Sequence, residues 1–580
     1  MPQVKGVESL FQLCLDNVTD HMDEWAKKSP KLNGVEDIEF IQKSTNPFYD
    51  LPSVIIEEII LLLKKKKLLE NKFIELLITP QLWTLDFRSM REKDEVSGLL
   101  RLATIISPDL KNLWLCHEEY FVDNDKYESF IPKFSNLQVV DISYSKKGDS
   151  CLQLLGLYCK DLRVLHAKHS SVSDYGIQQL CVSGRCKSIH TLDVFSSFTC
   201  VTTKGLQLAI QNLPALTILR HPLLVDALAG MAQAAMDEKL ETPKLSLSTL
   251  AIHSSYKAGS LALAVSICPS ITTIDVRMAE EMTDIELHAL LPLKNISAIH
   301  FCASDHNTFD GGIVPLLKSF GKSLKSLELF FFTSTVKIRA VIEYCPNLKS
   351  LTLCCNSSYS MAWPEEGQKS REGEPIDGGR LELKKLEQLQ FFLGKGCIDS
   401  EVVLALLSSS SLKSIFLRGC CILTDDVLLK AANYHSFRNL ESLDIFDCKS
   451  VSIKGIDVLM EEGNSLKSLD IRDCGQILIK HISSWVRKAA KNNWELSVYP
   501  KVPLCCVEHS DSDDSDSEEG FELLHFFLAG FIHDMLGSDD DDDDDDEDIE
   551  VEEDSDEDQN WNGSAEESEG VEDDDDVMEF

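Results

Sequence analysis

Read for its apolar positions, the chain repeats one phrase, L-x-x-L-x-L, from residue 82 onward. It appears as Leu82, Leu85 and Phe87, then as Leu110, Leu113 and Leu115, and continues through starts at Leu137, Leu162, Ile189 and Leu216. Further starts fall at Leu247, Ile271, Ile296, Leu324, Leu348, Leu386, Leu412, Leu440 and Leu466, and the fifteen are separated mostly by 24 to 28 residues. Alternation inside the phrase predicts a short strand with one apolar face. The segment after each strand carries apolar residues at helical spacing, such as Val427, Leu428 and Ala431, and predicts a returning helix. The late copies add a Cys eight residues after the first Leu, at Cys420, Cys448 and Cys474.

One such unit cannot bury its own apolar face, whereas a stack buries a continuous core between a strand layer and a helix layer. The period predicts an α/β fold, a leucine-rich repeat solenoid or horseshoe with its strands on the concave side. The Cys at the turn resembles the cysteine-containing class of these repeats. Residues 1–80 read as a helical adaptor-binding box and N-terminal cap, 81–500 as the repeats, and 501–580 as an acidic tail. A Ser, Gly, Pro and charge-rich stretch within the 38-residue gap from Leu348 to Leu386 predicts an exposed loop at about 357–380. The register weakens over 216–250, where His221 takes an apolar position, and "WELSVYP" reads as the closing strand.

Ahead of the repeats, residues 8–26 predict a helix with Leu10, Cys14 and Val18 on one stripe and Leu13 beside it. A helix this short is marginal alone, so the stripe calls for a partner surface. A second helix is expected from "NPFYDLPSVIIEEIILLL", with Asp50 as its cap, Pro52 in its first turn, and Ile55, Ile59 and Leu63 along one face.

Together the two segments resemble a von Hippel-Lindau box. Ser9, Leu10, Cys14 and Val18 match the elongin-binding pattern S/T-L-x-x-x-C-x-x-x-apolar, and Leu51, Pro52, Ile55 and Ile59 match the cullin-box pattern. Followed by leucine-rich repeats, this order is similar to the zyg-type substrate receptors of cullin-2 ubiquitin ligases. The resemblance implies the substrate-recognition subunit of a cullin-RING E3 ubiquitin ligase with elongin B, elongin C and cullin-2 as partners. It places Leu10 in a pocket on elongin C, lets the small Cys14 bring the helix close, and makes the Pro52-led helix select the cullin. It covers the first 63 or so residues closely and the repeats in architecture. Zyg-type receptors carry an armadillo-like recognition domain after their repeats, whereas this chain has the acidic tail there, so substrate specificity does not carry over. "LPSVIIEEIILLL" also resembles the start of an F-box, which implies a Skp-type adaptor and cullin-1. Both helices equally suit the cap that a solenoid needs at its open end.

On the concave side, alternation places Asp86, Trp114, Asp141, His166, Asp193, Asp275, Glu328, Phe416, Asp444 and Asp470 in one row. A second row holds Arg88, Phe195, Arg277, Phe330, Phe392, Arg418, Phe446 and Arg472. Aromatic and Arg side chains supply most binding hot spots, so Phe392, Phe416, Arg418, Phe446 and Arg472 are the expected substrate contacts. The acidic row suits a basic peptide, unless Asp86, Asp275 and Asp470 are screened by Arg88, Arg277 and Arg472 two residues on.

Charge changes the picture at the C-terminal end. The net charge is -40, and residues 508–580 hold 35 Asp and Glu with no Lys or Arg, leaving 61 acidic against 56 basic residues in the rest. Nothing in that balance suits a nucleic-acid backbone. Two acidic runs in the tail are too charged to collapse, and "FELLHFFLAGFIHDML" between them predicts an apolar helix over 521–536. Ser510, Ser515, Ser517 and Ser555 precede acidic residues as acidophilic phosphorylation sites do. Acidic tails on leucine-rich proteins also resemble acidic nuclear phosphoproteins that bind histones, which implies a basic-protein chaperone as a reading of another class. Nineteen cysteines without a CxxC pair read as reduced, mostly buried small residues, and the chain is expected in the cytosol or nucleus with no membrane span. Catalytic motifs and zinc spacings are missing, so no enzyme activity and no cofactor are expected. His166, His253 and His300 are the one candidate ligand patch, and Lys64 to Lys67 read either as an import signal or as a solvated helix end.

Overall fold

The computed structural model describes residues 2, 9–28, 38–88, 96–115, 127–196, 200–253, 256–277, 282–304, 306–332, 336–354, 383–392, 400–435, 437–461 and 464–500. The chain divides into the units Met1–Gly537 and Ser538–Phe580, and every described residue lies in the first. The expected loop at 357–380, the tail from 501, its apolar helix at 521–536 and the four tail serines lie outside the described residues.

Leucine spacing becomes architecture through parallel pairing in step. Six strands form one sheet in chain order: β1 Thr84–Asp86, β2 Asn112–Trp114, β3 Val139–Asp141, β4 Val164–His166, β5 Thr191–Asp193 and β6 Ile218–Arg220. Ten more form a second: β7 Thr249–His253, β8 Thr273–Arg277, β9 Ala298–Cys302, β10 Ser326–Phe330, β11 Ser350–Cys354, β12 Gln388–Phe392, β13 Ser414–Arg418, β14 Ser442–Phe446, β15 Ser468–Arg472 and β16 Ser497–Tyr499. Every pairing is parallel and sets like positions side by side, as in Leu351 beside Leu389, Ile415 beside Leu443, and Leu443 beside Leu469. These side chains point to the helix layer and are buried. Alternate residues occupy the open face of the sheet. The chain is therefore an α/β leucine-rich repeat solenoid.

The two sheets part between β6 and β7, within the stretch of weak register. Helix Leu224–Asp237 fills that longer repeat, and His221 is fully buried beneath it. Its Nδ1 accepts the Leu223 backbone N–H at 3.1 Å, and burial pushes its pKa down to about 4.

Successive helices are tied by a polar ladder. Asp149 accepts the Ser173 backbone N–H at 2.7 Å, Asp174 that of Thr202 at 2.7 Å, Asp284 that of Thr308 at 2.9 Å and Asp425 that of Ser452 at 2.8 Å. Each carboxylate also accepts the hydroxyl of the same Ser or Thr. Three residues further on stands Gly176, Gly205, Gly311 or Gly455, and a Cβ there would run into the Asp oxygen; at Gly455 it would lie 2.6 Å from Asp425 Oδ1. The cysteines at the turns serve the same stacking. Cys448 and Cys474 are buried, and their thiols donate to Leu417 and Ile445 carbonyls of the preceding strands, each at 3.8 Å.

Candidate functional site

Two surfaces carry the residues singled out by the sequence. The first is helical: α1 Leu10–Asp20, α2 Met22–Lys28, α3 Ile38–Thr45, α4 Ser53–Lys65 and α5 Asn71–Leu77. The expected helix over 8–26 is broken in two at His21. Ser9 caps α1, its hydroxyl accepting the Gln12 backbone N–H at 3.1 Å. Leu15, Thr19 and Met22 are buried on the inner side, where α1 packs on α4. Lys66 Nζ fastens it further, reaching Asp16 at 2.9 Å, Asp20 at 2.7 Å and the Thr19 hydroxyl at 2.8 Å. The Lys66 hydrogen bond, then that of Gln12, holds the Asp16 carboxyl below its ordinary range.

Opposite that inner side, Leu10 is 78% exposed, Phe11, Leu13 and Cys14 are exposed as well, and Val18 is half-buried at the rim. The stripe expected from the spacing thus faces outward at Leu10 and Cys14 on a helix already held by its other side.

The second helix departs from expectation. Pro52 stands at the N-cap position of α4 without a side-chain cap bond, and Asp50 lies outside the helix, exposed. Leu51 and Ile55 are half-buried, Pro52 is exposed, and Ile59 is 1% exposed in the core. The reason is helical pitch: four residues overshoot a turn by roughly 40°, so Ile59 rotates inward from Ile55 to join Ile56 and Leu63. Ile59 therefore has no surface to offer a partner, and Val54 and Leu61 are the outward apolar residues of α4. Inward, α4 closes the edge of the sheet. Glu57 Oε1 accepts the Thr84 backbone N–H at 2.9 Å, and Lys64 Nζ lies 2.6 Å from Asp86. Burial raises the Glu57 pKa against that bond. Of the lysine run, Lys64 and Lys66 are thus engaged inside the molecule, while Lys65 and Lys67 are exposed.

The second surface is the open face of the sheet. The expected screening of its acids is present: Arg88 lies 3.0 Å from Asp86, Arg277 3.0 Å from Asp275, and Arg472 makes two bonds of 2.9 Å to Asp470. Burial works against the Asp86 charge, yet the Arg88 and Lys64 hydrogen bonds outweigh it and hold the pKa down at about 2. Asp193 is buried with Arg220 at 3.5 Å and His166 at 3.8 Å.

The three candidate histidines do not converge. His166 faces Asp193, His300 lies 3.1 Å from Glu328, and His253 stands edge-on to Phe195, 5.1 Å between centroids. Among the described residues no group of His, Cys, Asp or Glu is placed to hold a metal ion.

All five expected substrate contacts sit on four adjacent strands. Phe392 of β12, Phe416 of β13 and Phe446 of β14 form a diagonal stack, with centroids 4.9 Å and then 5.2 Å apart. The Arg472 guanidinium lies 5.5 Å from the Phe446 ring centre, and Arg418 stands between Phe392 and Phe446 in the strand register. These side chains are half-buried.

Not singled out as a contact was Asp444, which lies beside Phe416 on one side and Asp470 on the other. Its hydrogen-bond partner is the Ser442 hydroxyl at 3.3 Å. Burial, and then the Asp470 charge, raise its pKa to about 6. The signal was in the sequence: Asp86, Asp275 and Asp470 are each followed two residues on by Arg, but Asp444 by Phe446.

No protein-family profile and no curated protein matches the chain. Similar solved structures include the complex of Rad7 and Elc1 in yeast, 14% identical over 86% of this chain and 99% of that one, with a TM-score of 0.38. An internalin (inlF) from Listeria monocytogenes is 14% identical over 60% of this chain and 82% of its own, with a TM-score of 0.35. The leucine-rich repeat-containing protein LegL7 from Legionella pneumophila is 14% identical over 47% and 91%, with a TM-score of 0.32.

Proposed function

We propose that this chain is the substrate-recognition subunit of a cullin-RING ubiquitin ligase, taking an elongin-type adaptor on α1 and a protein substrate on the open face of the sheet. The observation that carries the reading is the two-sidedness of α1. Its inner side is fixed by Leu15, Thr19 and Lys66, while Leu10 and Cys14 stand outside a helix that is already capped and anchored. A leucine that closes no core gains nothing from exposure, and burying it in a partner's pocket contributes about 2 kcal/mol. The adjoining start of α4, with exposed Pro52 and half-buried Leu51 and Ile55, is the natural contact for the cullin, cullin-2 on the resemblance.

Co-expressing the tagged chain with elongin B, elongin C and a Skp-type adaptor tests the reading. Recovery of the elongins, lost on changing Leu10 to Asp, supports it. Recovery of the Skp-type adaptor instead, or of basic proteins alone, contradicts it.

A further inference from the structure

Across the open face, the central-row Asp residues of the described strands other than Asp444 are satisfied in one of three ways. Asp86, Asp275 and Asp470 take the guanidinium of the Arg two residues on. Asp193, which is followed by Phe195, takes Arg220 from the next strand. Asp141 accepts the Ser143 hydroxyl at 2.6 Å and the Ser143 backbone N–H at 3.0 Å. Asp444 has none of these arrangements. Its own strand supplies Phe446 where Arg would stand, and the guanidinium of the next strand, Arg472, is committed to Asp470 by two bonds of 2.9 Å. The Ser442 hydroxyl at 3.3 Å is a weak substitute.

We propose that Asp444, walled by Phe416 and Phe446, receives an arginine side chain from the bound protein substrate. The inference rests on the receptor reading and adds the substrate chemistry to it. Two like carboxylates on neighbouring strands, about 4.8 Å apart, repel each other. One guanidinium answers Asp470, and a second is lacking at Asp444. Aromatic rings attract a planar cation, and arginine pairs with carboxylates through two parallel N–H bonds. The charged groups facing Asp444 are Asp470 and Arg472 on β15 and Arg418 on β13. Both cations lie two residues further along the strands. The open approach therefore runs over the uncharged row of Ser414, Ser442 and Ser468. Because the carboxyl titrates at about 6, protons compete with the incoming cation below neutrality.

The probe is Nα-acetylarginine amide, followed by saturation-transfer NMR on the full chain, with the citrulline analogue as the uncharged control. Arginine amide gives transfer that the citrulline analogue does not, and its affinity falls about ten-fold in Asp444→Asn and in Phe446→Ala. It also falls about ten-fold from pH 7.5 to pH 5 in the parent chain but not in Asp444→Asn. Each variant is first shown to unfold in one cooperative transition above the measuring temperature, and the isosteric Asp444→Asn keeps the test valid where Phe446→Ala disturbs the sheet. Equal affinity in parent and Asp444→Asn, which is capture by the acidic tail, overturns the inference, as does equal binding of the citrulline analogue or no binding of the arginine probe. Leu10→Asp leaves the arginine signal unchanged, so failure here is distinct from failure of adaptor binding.

Discussion

The Glu57 carboxylate accepts the backbone N–H of Thr84 at 2.9 Å, so the helix resembling a cullin box is also the lid on the first strand. That double use fixes which of its apolar residues belong to the fold. Ile59 packs inward and Val54 outward. Ile59→Ala is expected to destabilise the protein by about 3 kcal/mol and to lower the urea midpoint, whereas Val54→Asp shifts it by less than about 0.5 kcal/mol. Equal effects of the two substitutions contradict the assigned orientation of α4.

The polar ladder predicts a coupling. Asp425 accepts N–H groups from Ser452 and, at 3.2 Å, from Gly455, and it fills the space a Cβ at Gly455 needs. Asp425→Ala costs about 1–2 kcal/mol by removing the acceptor of the Ser452 N–H and hydroxyl, while Gly455 N–H keeps the Ser452 carbonyl. Gly455→Ala is costly in the parent chain and much cheaper once Asp425 is Ala, so a double-mutant cycle shows an interaction of at least about 0.5 kcal/mol. Additive effects contradict the contact.

Asp444 and Asp86 respond to pH in opposite directions. The Asp444 carboxyl titrates at about 6, above the ordinary value of about 3.9 of the unfolded chain, so the folded state holds the extra proton and stability falls as pH rises through that window. Asp444→Asn therefore raises the melting temperature at pH 7.5 and leaves it nearly unchanged at pH 3, below the unfolded value. The folded pKa of Asp86 is about 2, so its contribution is fully present above the unfolded value and is lost as pH falls toward 2. Asp86→Asn is destabilising at pH 7 and nearly neutral at pH 2, as melting curves of the two variants at each pH will show.

Much of this was readable from spacing because the repeat uses one device fifteen times. The period placed the strand cores from Leu85 to Leu469, "WELSVYP" marked the closing strand, and alternation placed Phe392, Phe416 and Phe446 on one face. The Asp-x-Arg spacing on three strands was legible as screening. The features that escaped depend on contacts between distant residues. Ile59 matched a four-residue rhythm that a helix does not keep. Asp50 looked like a cap although the helix begins only at Ser53. The Glu57 bond to Thr84 joins residues 27 apart, and the gap between β6 and β7 follows from a longer helix rather than from any lost leucine. The Ser/Thr-x-x-Gly spacing stands in four repeats, at Ser173, Thr202, Thr308 and Ser452, but its meaning lies in the Asp of the repeat before it.

The outward face of α1 is central: as a docking face it makes the chain a receptor, and without that role the chain is a capped solenoid. Titrating the purified full chain into the elongin B–elongin C heterodimer, with parent and Leu10→Asp side by side, tests this most directly. The parent is predicted to bind, and Leu10→Asp, whose side chain leaves the fold and melting temperature intact, to weaken binding by at least about thirty-fold. Equal affinity of the two proteins, or no binding of the parent, contradicts the receptor reading.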